Sequence, residues 1–161
     1  MTSEAVRQIW QALDEVKDPE IPVVSLVEMG IVRDVTINDA CVAVTITPTF
    51  SGCPALHAMK VDIVEHLHTL GYANVEIKTT FMPAWSTDWI TESARVKLRD
   101  FGLAPPPIHR GDVNVMLLEV ATCPYCGSTN TSLRNSFGPT ACRMIYYCNA
   151  CNQPFEQFKP L

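Results

Sequence analysis

Four cysteines in two CxxC pairs, Cys123-Pro124-Tyr125-Cys126 and Cys148-Asn149-Ala150-Cys151, carry the plainest chemistry in this sequence. Each pair closes a tight turn that presents two thiolates. The spacer from 127 to 147 lets one pair fold back on the other, which is the pattern of a four-thiolate tetrahedral site. The expected ion is zinc and the expected fold of the segment is a ribbon. So short a segment buries too little core to fold alone, so the ion is expected to be structural. Iron takes the same ligands, with Cys142 as a substitute ligand in that alternative. Cys142 stands six residues before Cys148, outside any metal spacing, and the simpler reading of it, as of Cys41, is a packed small side chain.

A different chemistry is suggested by Thr47-Pro48-Thr49-Phe50-Ser51-Gly52-Cys53-Pro54, where a β-branched run gives way to an amphipathic pattern. With Pro54 at the first helical position, Cys53 would stand at or near the N-cap. The partial positive charge of the helix end would then favour a thiolate. The competing reading is a small buried cysteine in a turn. His57, four residues on, would share a helix face with Cys53 and permit a thiolate–imidazolium pair, although a surface histidine without a role is the plainer expectation. His66, His68 and His109 offer less. Asp18 and Glu20 are candidate supporting groups, yet carboxylates beside a thiol would raise its pKa. A nucleophilic enzyme would show a base and an orienting group beside the thiol, and no such set stands out.

Length and composition bound the rest. The chain has 161 residues, 47% of them hydrophobic, room for one ordinary domain and a small appendage. No basic leader with an apolar core and no run of about 18 apolar residues is present, so a soluble, cytoplasmic protein is expected, with no membrane partner. Seven cysteines, an odd number with four in CxxC pairs, fit a reducing compartment better than a disulfide framework. Residues 1 to 110 hold nine basic and fourteen acidic side chains, and residues 111 to 161 hold three of each. That balance argues against nucleic acid, whose phosphates call for clustered Lys and Arg.

The elements that must position these residues follow from periodicity. Val6, Ile9, Trp10, Leu13 and Val16 form one helical stripe behind a candidate Ser3 cap. Asp18-Pro19-Glu20-Ile21-Pro22 is then an extended crossing, with Leu26, Val27 and Met29 packing the following loop. Ile31 to Ile37 and Cys41 to Thr47 read as a hairpin turning at Asn38-Asp39. Pro54 to Leu70 reads as a helix with Leu56, Met59, Ile63, Leu67 and Leu70 on one face, stopped by Gly71, and Val75 to Phe81 as a strand parallel to the second. Thr87 is the candidate cap of a helix carrying Ile90, Ala94 and Leu98. Trp85, in a loop, is expected to be an interface anchor. The fold class expected is α+β: a small mixed three-stranded sheet packed by helices, followed by a zinc ribbon. Residues 1–103 form the first domain, 104–112 a Pro-rich linker, and 113–161 the ribbon, entered by a short strand from Val113 to Val120.

Asp18-Pro19-Glu20-Ile21-Pro22, the Thr47–Pro54 stretch and Phe81-Met82-Pro83-Ala84-Trp85 resemble the phenylacetate-degradation family PaaD, also called PaaJ. So does the tail from Phe137-Gly138-Pro139-Thr140-Ala141-Cys142 to Cys151-Asn152-Gln153-Pro154-Phe155-Glu156-Gln157-Phe158-Lys159. The resemblance implies an accessory subunit of the multicomponent phenylacetyl-CoA epoxidase, with catalysis left to other subunits and a body similar to iron–sulfur assembly factors. It places the functional cysteine at Cys53, and the Asp-Pro-Glu motif at Asp18, Pro19 and Glu20. The implied work is maturation or repair of an iron or iron–sulfur centre, with the iron–sulfur reductase or di-iron oxygenase subunit as client. One thiolate cannot hold a cluster alone, so a client cysteine or a homodimer would complete the ligand set. Two rival readings are a Cys53 nucleophile acting on a thioester or disulfide, and a passive adaptor.

Overall fold

An amphipathic helix, α1 (Thr2–Leu13), opens the computed structural model, which describes residues 2–108 and 120–160. Ile9, Ala12 and Leu13 are buried, and Val16 continues the stripe past the helix end. Asp18–Pro22 is a closed turn and not the extended crossing expected: Asp18 N–H donates to the Val24 carbonyl at 3.0 Å and Ile21 N–H to the Asp18 carbonyl at 3.3 Å. A reciprocal cap then folds the next loop. Ser25 N–H donates to Glu28 Oε2 at 3.0 Å, and Glu28 N–H donates to Ser25 Oγ at 2.9 Å. Leu26 and Met29 go fully into the core, as their apolar character demands, while Val27 stays half-buried.

Strands β1 (Val32–Asn38) and β2 (Cys41–Ile46) pair antiparallel, and β3 (Asn74–Thr79) pairs parallel to β2, giving the order β1-β2-β3. The hairpin turns at Asp39 and Ala40, both at positive φ (44° and 67°), one residue later than the Asn38-Asp39 expected. Two consecutive positive φ angles match the right-handed twist of the flanking strands. Between β2 and β3, helix α2 (Leu56–Thr69) buries Met59, Ile63 and Leu67 at four-residue spacing. Leu70, expected on the same face, is 53% exposed because the helix has already ended there. Gly71, at φ 91°, turns the chain out, its N–H bonded to the His68 carbonyl at 3.0 Å.

Trp85 is a core residue and not the interface anchor expected: it is 5% exposed and its indole N–H donates to the Met29 carbonyl at 2.9 Å. An indole buried in this way needs a partner for its polar atom, and a loop carbonyl supplies one.

Compactness divides the chain into Met1–Trp85 and Ser86–Leu161, whereas the sequence places the boundary after residue 103. A short 3-10 turn (Thr87–Trp89) precedes helix α3 (Glu92–Asp100), which is capped by Thr91, its hydroxyl accepting from Ala94 N–H at 3.2 Å. The single helix expected from Thr87 is therefore two elements. Next, β4 (Leu103–Ala104) pairs parallel to β7 (Pro154–Phe158), completing the sheet β4-β7-β6-β5 with β6 (Arg143–Cys148) and β5 (Thr131–Asn135). The first residues of the proline run belong to this unit too. Arg95, buried between them, donates to the carbonyls of Thr87 (2.7 Å) and Pro106. Residues 109–112 of the expected linker, His109 with them, and residues 113–119 of the strand expected from Val113 to Val120 lie outside the described residues.

Among the described residues, no helix is long and apolar enough to cross a membrane. The fold is α+β, with a mixed three-stranded sheet and a second sheet carrying a C-terminal ribbon.

Candidate metal centre

The two CxxC pairs form matching knuckles. In the first, Gly127 N–H bonds to the Cys123 carbonyl at 2.9 Å, and in the second, Asn152 N–H bonds to the Cys148 carbonyl at 2.9 Å. Both closing residues sit at positive φ, 74° and 59°, conformations that Gly adopts freely and Asn tolerates. The first knuckle leads into β5 and the second joins β6 to β7, so the antiparallel pairings β5–β6 and β6–β7 carry the pairs to one place.

There, all four sulfur atoms lie within 4.8 Å of one another, with Cys123 Sγ 3.7 Å from Cys151 Sγ and Cys126 Sγ 3.6 Å from Cys148 Sγ. Metal–sulfur bonds of about 2.3 Å around a tetrahedral ion place sulfurs about 3.8 Å apart. The four thiols therefore fit one ion. A polynuclear cluster would put several atoms between its ligands and hold them further apart than this.

Four thiols so close resist ionising together without a cation. Cys148 is pulled down to about 7, first by the Cys151 backbone N–H. Cys151 is pushed up to about 12, first by desolvation and then by the neighbouring thiols. An ion removes the conflict, since coordination requires the deprotonated form.

Two of the ligands, Cys123 and Cys148, belong to a small buried cluster with Ala104, Ala121 and Phe155, and Tyr146 stacks on Phe155 at 5.7 Å between ring centroids. Cys142 is also buried, its sulfur 3.1 Å from Thr140 Oγ1, and is not one of the four clustered ligands.

Cys53 lies in the other unit. Its loop leaves the C-terminal end of β2, at the same end as the loop that leaves the parallel strand β3, where Thr80 N–H still bonds to the Ile46 carbonyl at 3.0 Å. The end of a parallel pair where the strands' carboxyl termini emerge is the usual place for a ligand crevice. Thr47 N–H is tied to the Ile31 carbonyl (2.8 Å), Cys53 N–H to the Phe50 carbonyl (3.2 Å), and Leu56 N–H to the Cys53 carbonyl (3.2 Å). The thiol residue is half-buried, between exposed Gly52 and exposed Pro54. The N-cap expected at Cys53 is instead Ala55, with helical backbone and no side-chain cap bond. Pro54 and Ala55 form a turn that delays α2 to Leu56, so Cys53 precedes the helix by a turn.

His57 is exposed on the first turn of α2. Asp18 is 5% exposed, and its Oδ1 accepts from the N–H groups of Glu20 (2.8 Å) and Ile21 (2.9 Å), which gives this carboxylate a backbone-holding task. Asp18 also lines an open cleft of about 510 Å³ with Asp62, Glu65 and His66 of α2, and Cys53 is not part of that lining. Glu20 is half-buried. Arg95 is the structural residue that the sequence reading missed. Burial lowers its pKa against the raising effects of Glu92 and Asp88, and one arginine among the charged residues of α3 carries no signal of that burial.

Two family models match the chain. The PaaD zinc beta ribbon domain matches residues 114–159, and the iron-sulfur cluster assembly protein model matches residues 7–79. Over 154 residues the chain is 40% identical to an Escherichia coli protein named as one component of a "Putative 1,2-phenylacetyl-CoA epoxidase", covering 96% of this chain and 92% of that one. It is 35% identical to the Fe-S protein maturation auxiliary factor of Porphyromonas gingivalis over 92 residues, 56% of this chain and 87% of that one. Among solved structures, the domain of unknown function DUF59 from Bacillus anthracis superimposes with a TM-score of 0.57 at 27% identity, over 60% of this chain and 93% of that one.

Proposed function

This chain belongs to the PaaD family, and on that footing we propose that it is an accessory subunit of a phenylacetyl-CoA epoxidase system that matures or repairs an iron or iron–sulfur centre of that system through Cys53. The observation that carries this reading is the position of Cys53 in a domain of the iron–sulfur assembly type: half-buried, between exposed residues, outside the carboxyl ends of two parallel strands. The iron or cluster is cargo. Cys53 supplies one thiolate, and a client cysteine or the thiolate of a second copy completes the ligand set. The clients proposed are the iron–sulfur reductase and di-iron oxygenase subunits, in the cytoplasm.

In the ribbon, zinc is the proposed ion, held by Cys123, Cys126, Cys148 and Cys151; it supplies folding free energy to a unit with a small core. Asp18 is assigned a positioning role, fixing the turn through Glu20 and Ile21. Glu20 and His57 are proposed as supporting groups for the thiol.

The test is a strain carrying only the Cys53→Ala variant. Epoxidase subunits are expected at normal levels, with the purified complex deficient in iron or sulfide and growth on phenylacetate impaired. Normal cofactor content and normal growth would remove the thiol mechanism and leave an adaptor.

A further inference from the structure

We propose that β3 is a self-association strand, pairing antiparallel with β3 of a second copy of this chain in a register centred on Ile77. Among the described residues the three-stranded sheet ends at β3, and the direction of the backbone groups β3 does not use there follows from its pairing with β2. Ile46 stands opposite Thr79, and its carbonyl accepts from Thr80 N–H. In a parallel ladder this means that even-numbered residues of β3 point their backbone groups at β2, while Val75, Ile77 and Thr79 point theirs away from it. Among the described residues, no element pairs with that outer edge. The opposite edge, β1, carries a register irregularity between Val32 and Asp34, a bulge of the kind that discourages an incoming strand.

Charge selects the partner and the register. Glu76 and Lys78 are both exposed on one face of the strand, 3.7 Å apart, with side chains 60% and 55% exposed. Centring two antiparallel copies on Ile77 sets Val75 opposite the second copy's Thr79 and Ile77 opposite its Ile77, each pair exchanging both backbone bonds. The same register sets Glu76 opposite the second copy's Lys78, and Lys78 opposite its Glu76, at the non-hydrogen-bonded sites where side chains come closest. Slipping the centre to Glu76 opposes two carboxylates, and slipping it to Lys78 opposes two ammonium groups. The strand is therefore self-complementary in one register and repulsive in its neighbours.

This surface is independent of the thiol chemistry proposed above, and Cys53→Ala is expected to leave it intact, so a failed dimer and a failed thiol are distinguishable results. The experiment is sedimentation equilibrium of the full zinc-loaded chain, with Glu76→Lys, Lys78→Glu and the double exchange Glu76→Lys/Lys78→Glu. Wild type is expected to associate to twice the 17.9 kDa chain mass. Each single reversal turns two cross-strand attractions into repulsions and is expected to weaken the dimer roughly tenfold or more. The double exchange restores opposite charge at both sites and is expected to restore the dimer. A wild type that stays monomeric overturns the proposal, as does a dimer indifferent to the single reversals or one that the double exchange fails to rescue.

Discussion

Gly127 and Asn152 occupy equivalent places in the two knuckles, each at positive φ and each donating its N–H to the carbonyl of the cysteine four residues before it, at 2.9 Å in both cases. A Cβ built on Gly127 meets nothing within 4 Å, so backbone conformation alone decides what this site accepts. Gly127→Asn is expected to keep the knuckle and its ion. Gly127→Val forces a β-branched residue into the left-handed region, at a cost of about 1–2 kcal/mol. Chelator competition on the two variants checks the contrast: valine should lose its ion at a lower chelator concentration than asparagine.

Zinc binding should be pH-dependent in a definite direction. Without an ion, Cys151 holds its proton to about 12 and Cys126 is also raised, so binding at neutral pH must release protons. Apparent affinity should therefore rise with pH, by about tenfold per unit for each proton released, and fall on acidification. A competition titration with a chromogenic chelator at several pH values measures the slope, and Cys148→Ser should lower metal content and unfold the ribbon. One equivalent of iron with no zinc in the purified protein would reassign the site.

Asp18 separates structure from chemistry. Its Oδ1 serves two buried-side N–H groups, and an unsatisfied buried donor costs about 1–3 kcal/mol. Asp18→Ala should lose that amount, whereas Asp18→Asn keeps an acceptor oxygen and should melt close to wild type. If Asp18→Asn melts normally yet fails to support growth on phenylacetate, the negative charge itself is required and the purely positioning role is wrong.

The packing break at Trp85 leads to a truncation experiment. A fragment of residues 1–85 should fold cooperatively and stay soluble, since it retains the Trp85–Met29 bond and the whole β1-β2-β3 sheet. A fragment ending at Leu103 keeps α3 but deprives β4 of β7, so limited proteolysis should trim it back toward residue 85. Equal protease resistance of residues 86–103 in that fragment would restore the boundary to the proline run.

Cys53→Ala should cost less than the roughly 2 kcal/mol at which truncation of larger core side chains begins, because little apolar volume is removed from a half-buried site. In the zinc-loaded chain, Cys53 should alkylate faster than Cys142, which is 6% exposed and lies against Thr140. Mass spectrometry of the alkylated peptides reads the order.

What the sequence alone determined was local or carried by strict spacing. Met59, Ile63 and Leu67 announce the buried face of α2, β-branched runs announce β1 and β2, and Gly71 announces a helix stop. The paired spacing of Cys123, Cys126, Cys148 and Cys151 announces one four-thiolate site, because CxxC turns leave the thiolates little else to do. Tertiary structure decided what depends on distant partners. Trp85 is a core residue, its indole N–H received by the Met29 carbonyl 56 residues away in sequence. Arg95 is buried only because Thr87 and Pro106 bring carbonyls to it. The pairing of β4 with β7 likewise depends on residues far apart in sequence, and the conspicuous prolines after β4 conceal it. A side chain's burial depends on which groups long-range packing brings to it, and neither periodicity nor composition encodes that.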